Sequence, residues 1–351
     1  MNGTRKGTVV RIVVGTLAVG LLAGVVPVTR YATSPMVEVY HLPPVFGRRS
    51  GDFTANVTGR LSPSAKDVKY RLNGSPWQDW REAPPRIPAP KFTIELAPQS
   101  LRPGPNVLEI SARRFGIREE VHAWQFVYDT TSVRLPLVQD WSCADLEAQD
   151  GYWERIRDGD VWRVRPVPGQ EDYDRIVVVT AAFAGARRVT TDVYYRHHVG
   201  DMPFGFGVLP LWGGRPDRDG KLPRRGWNFS LAWYYSHYEG VGQEFSYKDS
   251  SEPPDWMSNY RSLELVPDAH YQLVIECGQV VEADGRHVRY CQRMKWWAVG
   301  DPEPQDWMTL WDTPGSPLPP GEFCVALNSH RSQVEFGPVA VMPLEDRWWE
   351  R

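Results

Sequence analysis

From residue 36 onward the chain carries short runs in which apolar and polar residues alternate, separated by glycine, proline, asparagine and aspartate. A period of two predicts half-buried β-strands, because a helix would repeat its apolar positions every three to four residues. Between Met36 and Asp129 the candidates are Phe53 to Val57, Val68 to Leu72 running into Asn73-Gly74, Phe92 to Leu96, Val107 to Ala112 and Ala123 to Tyr128. Beyond Thr130 they lengthen. Asp174 to Ala184 and Arg187 to His198 lie either side of Gly185-Ala186, followed by Phe204 to Trp212, Gly226 to Tyr238, His270 to Cys277, Val288 to Ala298, Phe323 to Asn328 and Gln333 to Met342. The pattern predicts an all-β protein with a small sandwich over 36–130 and a larger jelly roll of two sheets over 131–351. A chain of 351 residues is long enough for two such cores.

One segment departs from this pattern. Ile12 to Thr29 are eighteen uncharged residues preceded by Arg5, Lys6 and Arg11. A positive flank before an apolar stretch predicts an N-terminus held inside and a chain sent outward. The length is close to the minimum for a spanning helix and long for a signal peptide, and no A-x-A cleavage site follows. Residues 1–35 are therefore read as a membrane anchor or a signal peptide, with the uncleaved anchor favoured and the membrane a partner through this segment.

Charge and composition narrow the partners. Lys and Arg total 40 against 43 Asp and Glu, a net charge of −3, so no basic excess exists to attract a nucleic-acid backbone. Sixteen Trp, 15 Tyr, 31 Pro and 30 Gly favour strands and loops with broad apolar faces. Cys143, Cys277, Cys291 and Cys324 would lie outside the cytoplasm, where pairing is expected. Cys277 and Cys291 flank two strands joined at Ala283-Asp284-Gly285, and equal spacing about that turn predicts a Cys277–Cys291 disulfide, leaving Cys143–Cys324 by elimination. Free thiols are the alternative. No cysteine or histidine cluster has zinc spacing.

Two resemblances follow from particular residues. Tyr70-Arg71-Leu72-Asn73-Gly74 with Trp77, and the apolar strand after Gly104-Pro105-Asn106, resemble the immunoglobulin-like spacer domains of bacterial surface proteins. The resemblance implies an immunoglobulin-like sandwich without an internal disulfide that holds the next domain away from the membrane. Phe206 to Trp212, the strand Arg293 to Trp297 leading into Gly300 to Trp307, and the closing Val334 to Val341 resemble the concanavalin A-like lectin/glucanase superfamily in its laminin-G-like branch. That likeness covers roughly residues 135 to 345 and implies a fold shared by lectins, hydrolases, lyases and spacers. It also implies a structural calcium, against which stands Gly337, where many relatives carry an aspartate near the metal. No other cofactor is indicated.

Glucanases of this superfamily use E-x-D-x-x-E on a strand, because two carboxylates must flank the scissile bond. The nearest run here, Glu282 to His287, lacks the second Glu and reads as a turn, and Glu239 with Glu244 is the other close acidic pair. No G-x-S-x-G elbow, P-loop or H-E-x-x-H helix is present, and Asp217 with Asp219 reads as a polar turn without the ligands of a calcium loop. Aromatic and basic residues on strands are the remaining candidates. Alternation puts Tyr194, Arg196 and His198 on one face, and Arg293 and Lys295 together on another. It separates Trp227, Phe229, Leu231, Trp233, Tyr235 and His237, read as core at their start, from Asn228, Ser230, Ala232, Tyr234 and Ser236, read as open to ligand. Flat rings beside fixed donors suit a sugar, which has an apolar face and a rim of hydroxyls. Tyr194, Arg196, His198, Tyr234, Arg293 and Lys295 are accordingly the expected ligand-binding set, with no catalytic residue assigned. Trp and Tyr packed between sheets and Arg and Lys in solvent would explain each singly. The expected function is carbohydrate binding at the cell envelope. A glycoside hydrolase or a polysaccharide lyase using Arg196, His198, Tyr234 and Lys295 is the alternative, followed by a structural envelope protein that binds other proteins.

Overall fold

Turn residues bracket each alternating run, and each run becomes a strand. The structure, a computed structural model, describes residues 35–50, 53, 55–79, 91–143, 145–171, 173–201, 203–215, 226–237, 240–248, 256–281, 288–311, 322–345 and 348–350. The N-terminal apolar segment, Glu239, the Asp217–Asp219 turn and Glu282 to His287 lie outside the described residues. Among the described residues no helix is long and apolar enough to cross a membrane.

The first unit contains β1 (Val37–His41), β2 (Val45–Phe46), β3 (Ala55–Leu61), β4 (Ala65–Leu72), β5 (Gln78–Asp79), β6 (Lys91–Leu96), β7 (Gly104–Arg114) and β8 (Arg118–Tyr128). They form a three-stranded sheet β1-β3-β6 and a five-stranded sheet β2-β8-β7-β4-β5. Phe46, Val57, Phe92, Leu108, Ile110 and Phe126 fill the space between them.

The second unit begins with β9 (Leu137–Gln139), β10 (Glu147–Asp150), β11 (Trp153–Asp158), β12 (Val161–Pro166), β13 (Arg175–Val178) and β14 (Arg187–His198). It continues with β15 (Gly205–Trp212), β16 (Phe229–His237), β17 (Gly240–Lys248), β18 (Trp256–Ser262), β19 (Ala269–Val281), β20 (Val288–Ala298), β21 (Met308–Trp311), β22 (Cys324–His330) and β23 (Ser332–Pro343). A seven-stranded sheet runs β10-β13-β22-β15-β16-β17-β18, and the second sheet runs β11-β12-β23-β14-β19-β20-β21 with β9 beside β23. The chain crosses between sheets at Gly185-Ala186, so β13 and β14 are neighbours in sequence but not in pairing. This is a jelly-roll sandwich, closed by Val177, Phe206, Tyr234 and Phe245 from one sheet against Tyr195, Leu273, Met294, Trp296 and Phe336 from the other. Arg187 is buried at its edge and donates to the carbonyls of Phe183, Gly185 and Phe323, so backbone oxygens replace its water.

The disulfide expectation is corrected by strand register. None of the four cysteines is disulfide-bonded. In the β19–β20 pair Cys277 faces Gln292 and Gly278 faces Cys291. The one-residue offset sends the two thiols to opposite faces of the sheet, Cys277 into the sandwich core and Cys291 against Val280 and Trp348 outside it. Burial pushes the Cys277 thiol up to about 12, which keeps it protonated and unreactive. Cys143 is exposed, whereas Cys324 is buried and its Sγ donates to the Arg49 carbonyl at 3.4 Å. A reducing agent should leave the thermal midpoint unchanged. A fall of several degrees on adding dithiothreitol would show that a disulfide holds the fold.

Calcium has no ready ligand set at Gly337. The Asp192 carboxylate packs where a side chain at residue 337 would lie and is taken by Arg163. Among the described residues no group of three His, Cys, Asp or Glu is placed to hold a metal ion.

The first unit docks on the second through buried polar contacts. The Arg49 and Ser50 backbone N–H groups donate to Glu147 at 3.0 and 2.9 Å, and the Ser50 hydroxyl donates to it at 2.6 Å. Asn56 donates to the Gln149 carbonyl, and Arg215 bridges Glu95 of the first unit and Asp150 of the second. Arg175 holds the other Asp150 oxygen at 2.9 Å, yet burial still raises the Asp150 carboxyl above its usual range. The sequence reading of a spacer therefore meets a joint in which both units share one buried ion network.

His41 makes this joint sensitive to acid. Its Nε2 accepts the Ala148 N–H at 3.2 Å, and burial lowers its pKa from 6.5 to about 4. Between those two values the unfolded chain binds a proton that the folded chain refuses, so stability falls as pH drops through that window. The loss attributable to His41 is roughly 3 kcal/mol by pH 4. His41→Gln keeps an acceptor without the titration. Urea unfolding at pH 7 and pH 4 should show the variant losing less stability than the parent, and equal losses would rule His41 out as the cause.

Candidate functional site

The strongest arrangement of aromatic and polar side chains lies on the outer face of the seven-stranded sheet. Register places Asn328 (β22), Gly207 (β15), Trp233 (β16), Glu244 (β17) and Tyr260 (β18) in one row across five strands. The next row holds His330, Gly205, Tyr235, Gly242 and Ser262. Glycine is required at three of these places by close approach. A Cβ at Gly205 or Gly207 would lie within 2.8 Å of Trp233 atoms, and one at Gly242 would lie 2.7 Å from the Tyr260 ring. Rows of glycine let neighbouring rings lie down across the sheet rather than stand up from it.

The result is an aromatic patch that is largely covered, with Tyr235, Tyr260 and Ser262 its more exposed members. Trp233 and Tyr235 stack at 4.1 Å with an interplanar angle of 12°. Trp233 is 7 % exposed and Tyr235 half-buried. Asn328 is fully buried beside them, and both polar atoms of its amide meet no hydrogen-bond partner among the described residues. The Trp233 indole N–H is in the same condition. Buried amides and indoles are ordinarily satisfied, by protein or by ordered water, so these atoms are places where a polar partner would be favourable.

His330 closes one end. Its Nδ1 lies 2.9 Å from Asp174 Oδ1 and its Nε2 lies 2.9 Å from Arg331 Nη1. A guanidinium only donates, which assigns Nε2 as acceptor and places the proton on Nδ1, donated to Asp174. Asp174 and Arg331 both sit in left-handed backbone, at φ 38° and 49°. That strain costs on the order of 1–3 kcal/mol per residue and is met where surrounding structure enforces a geometry. Tyr173, 46 % exposed, meets the His330 ring edge-on at 4.7 Å, and Arg331 lies over Tyr173 at 5.5 Å.

The expected ligand set does not converge. Tyr234 is 2 % exposed and packs between the sheets against Tyr195 and Phe206, where burial raises its hydroxyl pKa. Phe229 packs in the inter-sheet core as read, but from Ser230 onward the two faces of β16 are the reverse of the reading from alternation: Ser230, Ala232 and Tyr234 point inward, and Leu231, Trp233 and Tyr235 point outward. The inward serine is tolerated because Tyr290 donates to it at 2.9 Å. Tyr194 and Arg196 share the outer face of the other sheet, 4.4 Å apart in a cation–π contact, with Arg196 donating to Glu335 at 2.7 Å. Arg293 and Lys295 share that face farther along, on either side of Trp307, paired with Glu276 and Glu303. His198 is exposed at the end of β14 and stacks on Phe204 at 4.3 Å. Trp348 covers the same outer face, its carbonyl accepting from Arg293 at 2.7 Å. The signal for this patch was present as Gly205-Phe206-Gly207 near an aromatic strand, but only register shows that the glycines underlie Trp233.

No protein-family model matches the chain, and no curated protein matches it. Several solved structures are similar to part of it. A carbohydrate-binding module, CBM66 from Bacillus subtilis, is 14 % identical with a TM-score of 0.32, covering 56 % of this chain and 94 % of that one. The VIP36 exoplasmic/lumenal domain in its Ca2+/Man-bound form is 11 % identical with a TM-score of 0.35, covering 55 % and 83 %. A glycosyl hydrolase family 16 protein from Mycobacterium smegmatis is 9 % identical with a TM-score of 0.28, covering 54 % and 74 %. Scores this low carry no inference to a ligand or an activity.

Proposed function

We propose that this chain is an exported carbohydrate-binding protein of the cell envelope, with a concanavalin A-like jelly roll as its binding unit, an immunoglobulin-like unit as its support and a neutral sugar as its ligand. The observation that carries the reading is the stacked Trp233–Tyr235 pair lying flat beside the buried, unsatisfied amide of Asn328. A pyranose offers an apolar face to the rings and hydroxyls to the amide, so one ligand answers both. Neutral sugars are favoured because Glu244 stands in the Trp233 row and Asp174 backs His330, while Arg331 is already engaged by His330 and the Pro203 carbonyl. Export rests on the apolar segment Ile12 to Thr29 and its basic flank.

Binding is favoured over cleavage by distance. Asp174 and Glu244 are separated by the four spacings from β13 to β17, about 19 Å at the usual strand separation. Glycosidase carboxylate pairs stand roughly 5–9.5 Å apart. A lyase needs a basic group free for a uronate, and Arg196, Arg293 and Lys295 are each paired with a carboxylate on the other sheet. The test is binding of the purified chain to an array of neutral and anionic polysaccharides, with product analysis of the same samples. Binding to neutral glycans without new reducing ends or unsaturated products is expected. Turnover would place the protein among enzymes, and silence on every glycan would leave a protein partner as the reading.

A further inference from the structure

The first unit has two poles. One is the joint, where His41, Asn56 and Glu95 meet the second unit. From Asn56 to Ser62 the chain rises about 20 Å to the other pole, where the fold takes hold of the incoming chain. There Met36 is fully buried and its carbonyl accepts the Ser62 N–H at 2.9 Å, while the Ser64 carbonyl accepts the Phe115 N–H at 2.8 Å. The turn Phe115-Gly116-Ile117 between β7 and β8 therefore stands at the pole where the chain enters. It presents two large apolar side chains to solvent, Phe115 at 54 % exposure and Ile117 at 87 %, and no other turn among the described residues exposes two. Phe115 and Gly116 both sit in left-handed backbone, at φ 52° and 77°, where hairpin turns favour Asn, Asp and Gly. A phenylalanine there opposes the turn and belongs to neither core, so neither turn chemistry nor packing accounts for it. The first charges behind the tip are Arg114 and Arg118, opposite each other across the hairpin, with Arg113 and Lys66 exposed beside them. The neighbouring acids are engaged: Glu119 accepts from Ser111 at 2.6 Å, Glu120 from Arg114 at 3.2 Å, and Asp67 lies 3.9 Å from Arg113.

We infer, resting on the reading of Ile12 to Thr29 as a membrane anchor, that this tip seats in the surface of an anionic bilayer, Phe115 and Ile117 among the upper acyl chains and Arg114 and Arg118 at the lipid phosphates. Apolar side chains backed by cations suit that boundary, where hydrocarbon lies directly beneath negative charge. The anchor brings the tip within reach, because residues 30–35 span at most roughly 20 Å before the fold begins at Met36, at the same pole. The first unit then stands on the membrane at two points rather than swinging on a tether. Its joint, and the second unit with it, faces away from the lipid.

The test reconstitutes the full chain in vesicles with a nitrobenzoxadiazole probe on Ile117→Cys, in a Cys143→Ser background that removes the exposed native thiol. In phosphatidylcholine vesicles carrying roughly 30 % phosphatidylglycerol the emission should shift to the blue and be quenched by nitroxide-bearing lipid, and in phosphatidylcholine alone both effects should shrink several-fold. A probe on Val266→Cys, exposed on the second unit, should report water in both. Phe115→Asn suits the left-handed turn, so it should keep or raise the thermal midpoint while reducing the quenching at residue 117. Vesicle-bound protein whose probe at residue 117 emits as it does in buffer would overturn the tip contact and leave the anchor standing. Equal effects in the two lipids would overturn the anionic preference. Failure of the full chain to float with either vesicle would overturn the anchor reading and this inference with it. A lowered midpoint in Phe115→Asn would assign the ring to packing within the first unit and overturn its role at the membrane.

Discussion

Replacing Arg215 by methionine should lower the stability of the protein by about 3–5 kcal/mol, the usual cost of removing one partner from a buried ion pair. Arg215 joins the two units by holding Glu95 on one side and Asp150 on the other, and all three side chains are largely buried. Methionine preserves most of the volume, so the loss comes from removing this guanidinium from two carboxylates in a poorly hydrated joint, where Asp150 keeps Arg175. Adding Glu95→Gln to the variant should restore part of the stability, because the uncompensated charge is then removed from the first unit. Urea unfolding measures both steps. A single-variant loss below about 1 kcal/mol, as expected of an exposed pair, would show that the joint is wet and the network dispensable. By contrast, Arg196 with Glu335 lies partly exposed on the outer sheet face, and breaking that pair should cost far less.

Trp233→Ala should weaken binding of a neutral glycan by about 2 kcal/mol or more, roughly thirtyfold, because it removes the stacking partner of Tyr235. The same truncation leaves a cavity and costs on the order of 3 kcal/mol of stability, so retained strand circular dichroism must accompany the measurement. Tyr194→Ala is the control, since its ring lies on the outer face of the opposite sheet and should leave affinity unchanged. Loss of binding in Tyr194→Ala with retention in Trp233→Ala would place the sugar on the Tyr194–Arg196 surface and overturn the assignment to the Trp233–Tyr235 pair.

Much of the scaffold was legible because strand periodicity is local. Arg187–His198 and Val288–Ala298 are strands over the ranges that alternation predicts. The hairpin β11–β12 was not legible, because its alternating positions are arginine and glutamate as often as apolar: Arg165 pairs with Glu154, and Arg163 with Asp158. A polar face stabilised by cross-strand ion pairs carries no hydrophobic signal. For β20 the inward set is Tyr290, Met294 and Trp296, the face opposite Arg293 and Lys295. For β16 both faces are aromatic or small, so alternation offered no way to tell inside from outside.

The sequence by itself determined that the chain is all-β, where most strands lie and that no glucanase motif is present, since each follows from residues near one another in the chain. Tertiary structure decided everything that depends on register and on distant segments meeting. It set Cys277 and Cys291 on opposite faces, paired Arg196, Arg293 and Lys295 with carboxylates, and turned Tyr234 inward. It also laid Trp233 over glycines from another strand in the row of Asn328, from nearly a hundred residues away, and packed Phe53 from the first unit on Trp212. A one-residue shift in pairing exchanges the two faces of a strand at almost no cost visible in the local pattern, which is why the scaffold could be read along the chain and the site could not.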